Sequence, residues 1–122
     1  MERNDVERWV DAYVRAWETN DPDQIEALFT EDARYYTAPH REPWSGREAI
    51  IEGWLSRKDE QGRWGFRYEV QDVVGSKAYV RGWTTYHDDP PNYVNLWEVT
   101  LVGDGRCSEF VEWWMADEPR AG

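Results

Sequence analysis

Apolar residues recur at three- and four-residue steps near the start of the chain: Val6, Trp9, Val10, Tyr13, Val14 and Trp17. Glu7, Arg8, Asp11, Arg15 and Glu18 lie between them, a spacing that predicts an amphipathic helix ending near Asn20. A second helix is predicted directly after it, with Asp21 as N-cap, Pro22 at the first helical position and Gln24 completing a capping box. Ile25, Leu28 and Phe29 supply its apolar stripe. A third helix is predicted to open at Ser45 with Glu48 as reciprocal cap, burying Ile50, Ile51, Trp54 and Leu55.

Beyond residue 64 the period changes from helical to alternating. Residues 65–74, 77–86, 93–102 and 106–115 read as strands, and a short strand at 33–37 precedes the third helix. The Pro-containing stretches PHREP and DDPPN read as loops. Helices followed by consecutive antiparallel strands predict one α+β domain over residues 1–122, with three helices in its first half.

The last hairpin raises the chemical question. Asp104-Gly105 predicts a tight type I′ turn, which sets Trp97 opposite Glu112, Asn95 opposite Trp114, Val99 opposite Phe110 and Leu101 opposite Ser108. That face is mostly apolar, with Glu112 as its only charge. An acid enclosed there has its pKa raised toward a value useful for proton transfer. A three-residue loop, Gly103-Asp104-Gly105, shifts the register by one and turns Trp97 away from Glu112. Pairing of Glu112 with Arg34 or Arg81 is a further alternative, and would make it structural.

Composition narrows the partners. Nine Trp, seven Tyr and three Phe make up 16 % of the chain, enough to fill a core or to wall a cavity for a flat ligand. A net charge of −11 repels phosphate backbones and anionic membranes, so neither nucleic acid nor membrane is expected as a partner. The single Cys107 forms no internal disulfide, and no signal-peptide or membrane-spanning run is found, so a cytoplasmic location is expected. The two histidines, His40 and His87, lack metal-ligand spacing, and His87-Asp88-Asp89 reads as an exposed acidic loop. No metal or cofactor is expected.

The candidate chemistry is therefore acid–base. Glu112 is the principal candidate, His40 a second because imidazole titrates near neutral pH, and Tyr13 a hydrogen-bond donor to a substrate oxygen. Asn95 is a polar group on an apolar strand face, flanked by Tyr93 and Trp97. Trp44, Trp54, Trp83, Phe110 and Trp114 complete the expected ligand-binding walls.

The segments AYVRAWETNDPDQIEALFTEDARYY, PWSGREAIIEGW and VGDGRCSEFVEWW resemble the nuclear transport factor 2-like superfamily, and within it the SnoaL-like branch, over about residues 6 to 114. The resemblance implies a curved, mostly antiparallel sheet wrapped as a cone around a long N-terminal helix. It also implies an apolar pocket and a homodimer through the outer sheet face. The superfamily includes isomerases, dehydratases, epoxide hydrolases and polyketide cyclases beside non-catalytic binding domains, so membership does not name a reaction. Tyr13 falls where ketosteroid isomerase places its oxyanion-donating tyrosine. Thr37 occupies the position of that enzyme's general-base aspartate, and Trp97 that of its second oxyanion donor, which argues against the same mechanism. SnoaL-like cyclases carry an acidic residue near the cavity on a late strand, a role Glu112 could fill. The expectation is a cofactor-independent cyclase, isomerase or dehydratase acting on a small hydrophobic ring compound. The alternatives are a non-catalytic binding domain or a dimeric interaction domain whose pocket its own tryptophans fill.

Overall fold

The computed structural model describes residues 1–57, 64–87 and 92–117. Among these residues three helices, α1 (Arg3–Thr19), α2 (Pro22–Leu28) and α3 (Arg47–Ser56), accompany six strands. These are β1 (Phe29–Tyr36), β2 (Trp44–Ser45), β3 (Trp64–Val74), β4 (Lys77–Tyr86), β5 (Asn92–Leu101) and β6 (Cys107–Asp117). They form one curved sheet in the order β2-β1-β6-β5-β4-β3, antiparallel except where β1 runs parallel to β6. The α+β class, the cone-like sheet and the long first helix follow the sequence expectation. Most of DDPPN, with Asp88 and Asp89 beside His87, lies outside the described residues.

Local chemistry explains the helix ends. Asn20 stops α1 in the left-handed region at φ 53°, a conformation asparagine tolerates, and its N–H donates to the Ala16 carbonyl. Asp21 caps α2 by accepting from the Asp23 N–H at 2.9 Å. Gln24 does not complete the expected capping box: its Oε1 accepts from the Thr19 hydroxyl at 2.7 Å instead. The third helix also departs from expectation. Ser45 pairs with Arg34 in the sheet as part of β2, and Gly46, at φ 92°, is the N-cap. A serine cannot open the helix while its backbone belongs to a ladder. At Gly53 an added Cβ would fall 2.4 Å from the Trp44 ring, so α3 seats directly on that indole.

The buried stripe of α1, including Val6, Trp9, Val10 and Tyr13, lies against the inner sheet face. There Phe110 meets Trp9 at 5.9 Å, Tyr13 at 5.5 Å and Trp97 at 5.1 Å between ring centroids. Fully burying such a ring contributes about 2–3 kcal/mol, so this aromatic cluster ties α1, β5 and β6 together. The outer face is mixed. Glu98 accepts from Lys77 at 3.0 Å and from the Trp113 indole at 2.7 Å, Arg67 lies 4.0 Å over Trp83, and Trp113 and Met115 stay exposed.

The last hairpin resolves the register question by an unforeseen route. Its turn is not type I′: the Gly105 N–H donates to the Val102 carbonyl, the Val102 N–H donates to the Arg106 carbonyl, and within the loop only Gly105 has positive φ. This is the three-residue loop Gly103-Asp104-Gly105, which by itself puts Leu101 opposite Cys107 rather than Ser108. A bulge at Ser108 then inserts one extra residue into β6, and Thr100 pairs with Glu109. The two one-residue shifts cancel. Trp97 faces Glu112, Asn95 faces Trp114 and Val99 faces Phe110, as the sequence pairing requires.

Candidate functional site

Between α1, α3 and the inner sheet face lies a cavity of about 420 Å³, within the usual size range of small-molecule sites. Three ring stacks shape it. Tyr35 stacks on Trp44 at 5.0 Å and on Phe110 at 4.6 Å, and Phe66 stacks on Trp97 at 5.0 Å. Gly82 makes the Phe66–Trp97 stack possible, because a Cβ there would come within 2.5 Å of the Phe66 ring.

Glu112 lines the cavity from β6. The residue is partly buried, but its Oε2 is closed to solvent and accepts no hydrogen bond among the described residues. Burial is the main reason its pKa rises from 4.5 to about 8. The nearby polar side-chain groups of Trp97 and Asn95 oppose that rise without cancelling it, short of a formed hydrogen bond at Oε2. The arginine alternative is not realised: Arg34 pairs with Glu109 at 3.6 Å, and Arg81 faces outward opposite Leu96. Glu112 is thus an acid without an ion pair among the described residues, protonated at neutral pH, against the cavity.

Polar groups converge beside it. The Tyr13 and Tyr35 hydroxyls lie 2.7 Å apart in the interior, and burial, then the nearby Glu112, pushes the Tyr35 phenol upward. Asn95 is 6 % exposed; its Oδ1 accepts from the buried Thr84 hydroxyl at 2.8 Å. That bond fixes the amide orientation and leaves its N–H groups on the Glu112 side. The Trp97 Nε1 is buried without a hydrogen-bond partner among the described residues, leaving a donor beside the carboxyl.

Most of the residues expected from the sequence are brought together. Glu112, Tyr13, Asn95 and Trp97 line the cavity, as do Trp44, Trp54, Tyr93 and Trp114. Thr37 joins them, so all three positions carried over from ketosteroid isomerase face the same space. Three expectations are corrected. His40 sits on the exposed turn after β1 and is not part of the lining. Trp83 occupies the outer face under Arg67, because Gly82 and Thr84 take the inward positions of β4. Phe110 is fully buried behind the cavity as a support rather than a wall. Sequence reasoning missed Tyr35, Arg41 and Arg57. Alternation along ARYYT carried a signal for Tyr35; the two arginines sit on a turn and a helix end, where no periodicity operates.

Cys107 is no nucleophile, since burial pushes its thiol up to about 12. Among the described residues no cluster of three His, Cys, Asp or Glu side chains could hold a metal. No helix of the described residues is long and apolar enough to cross a membrane.

A family model described as a SnoaL-like domain matches residues 10–116. The chain belongs to the SnoaL-like family. Among solved structures, this SnoaL-like chain is similar to an NTF-2 like protein of unknown function from Burkholderia xenovorans LB400, at 15 % identity and TM-score 0.72, covering 100 % of this chain and 91 % of that one. A ketosteroid isomerase-like protein from Erwinia carotovora atroseptica SCRI1043 shares 21 % identity at TM-score 0.60, covering 93 % and 94 %. An LEH-like epoxide hydrolase from M. tuberculosis shares 17 % identity at TM-score 0.64, covering 92 % and 84 %. At these identities the likeness establishes the fold alone. No curated protein matches the sequence.

Proposed function

We propose that this SnoaL-like domain binds a small, flat, ring-containing metabolite in its cavity and moves a proton on it, with Glu112 as the acid–base group. The supporting observation is the carboxyl of Glu112, with no ion pair among the described residues, its Oε2 closed to solvent and its pKa raised to about 8, on an aromatic-walled cavity of about 420 Å³. A group poised there donates a proton at neutral pH and accepts one above it, as cyclisation, isomerisation and dehydration require. The Tyr13–Tyr35 pair and the Trp97 N–H would orient or polarise a carbonyl or hydroxyl oxygen of the ligand. No cofactor is part of this reading.

The test uses tetralone, a bicyclic ketone with exchangeable α-protons. In deuterated buffer the wild type is expected to accelerate α-deuterium uptake, read by mass spectrometry, and Glu112→Gln to lose most of that acceleration. Equal rates in both proteins would remove Glu112 from the mechanism. One observation favours a second reading, a binding domain without turnover: His40, the expected partner in proton transfer, lies off the cavity. Ligand occupancy seen by tryptophan fluorescence, with no chemical change in either protein, would support it.

A further inference from the structure

We propose that the cavity selects an amphipathic anion: a ring system against the aromatic walls, carrying a carboxylate held by Arg41 and Arg57 at the mouth. This rests on the small-molecule reading above and adds the charge of the ligand.

Charge around the cavity runs against the rest of the protein. The chain carries −11, yet its cavity lining includes two arginines and a single acid, Glu112. That acid is closed to solvent and uncharged at neutral pH, so the lining is cationic there. Neither Arg41 nor Arg57 is in an ion pair with a described residue, so both guanidinium groups face the cavity without a carboxylate partner there. What sets these two apart is their place: both line the same cavity, on a chain with 25 acids against 14 bases.

The fold fixes both positions. Arg41 sits in the turn after β1, which its own N–H closes by donating to the Ala38 carbonyl at 3.2 Å, and Ala38 is 2 % exposed. Arg57 caps α3, its N–H donating to Trp54, whose indole is anchored on Asn20 at 3.1 Å. The charge of Arg57 also reaches inward, since it pulls down the pKa of the buried Tyr35. The interior offers the complementary contact: the unpartnered Trp97 N–H can donate to an oxygen on the ligand body. A carboxylate outside and a hydroxyl or carbonyl inside would satisfy both sets. Guanidinium pairs bind carboxylates through two N–H groups in a plane, which adds geometry to charge.

The test compares naphthoate with naphthamide, which share a ring skeleton and shape but differ in charge, by calorimetric titration at neutral pH. The wild type is expected to bind naphthoate about tenfold more tightly, the size of one charge-assisted contact partly screened by solvent. In the Arg41→Gln/Arg57→Gln double variant that preference should fall to near equality while naphthamide affinity stays unchanged. Both side chains are exposed, and an unaltered unfolding midpoint verifies the fold. Naphthamide binding as tightly as naphthoate, or a preference that survives the double substitution, overturns the anion inference and leaves the cavity reading intact. Failure of both compounds to bind overturns both.

Discussion

Replacing Glu112 with glutamine keeps the shape and hydrogen-bonding capacity of the protonated acid but removes its titration. In the folded chain the carboxyl holds its proton up to about pH 8; unfolded, it releases it near 4.5. Between those values the folded state binds one more proton than the unfolded state, so stability falls as pH rises. The contribution is fully present below pH 4.5 and lost above 8. At about 1.4 kcal/mol per pH unit the full window is worth up to about 5 kcal/mol, and about 3 kcal/mol of it is already lost at pH 7. Solvent entering around the ionised carboxylate reduces this ceiling. Urea unfolding of both proteins from pH 5 to pH 9 isolates the effect, because every other titrating group is common to both. Glu112→Gln should match the wild type at the acidic end and exceed it increasingly toward pH 8, then run parallel. Parallel curves throughout would mean that the carboxyl is solvated or charge-paired, and the acid–base reading would fall with it.

Two packing predictions test the walls of the cavity. Gly82→Ala forces the Phe66 ring off its seat at 2.5 Å and disturbs the stack on Trp97, costing about 1–3 kcal/mol in urea unfolding with a changed near-UV tryptophan spectrum. Phe110→Ala empties the junction of Trp9, Tyr13, Tyr35 and Trp97 and should cost about 3–5 kcal/mol, whereas Trp83→Ala, on the outer face, should leave naphthoate affinity unchanged.

The helices and strands were legible because their apolar periods are local properties: α1 ends at Thr19 against an expected end near Asn20, and β4 spans the expected 77–86. The hairpin shows where local reading fails. Asp-Gly suggests a two-residue turn, but the loop has three, and the register is restored only because β6 bulges at Ser108. Nothing in the tetrad Gly103 to Arg106 encodes that compensation; the apolar face of β5 and β6 does, by requiring Trp97, Val99 and Phe110 to be buried together. The start of α3 was misplaced for a similar reason, since the pairing of Ser45 with Arg34 is a long-range contact that overrides a local capping pattern.

The amino-acid order by itself settled the class of the fold and the apolar strand face that Glu112 shares with Trp97 and Phe110, since both depend on periodicity. Only the folded arrangement decided that Tyr35 meets Tyr13, that Trp83 and His40 stand outside the cavity, and that Arg41 and Arg57 rim it. These depend on strand order and helix placement, which bring distant segments together by packing, and no neighbouring residues along the chain carry that information.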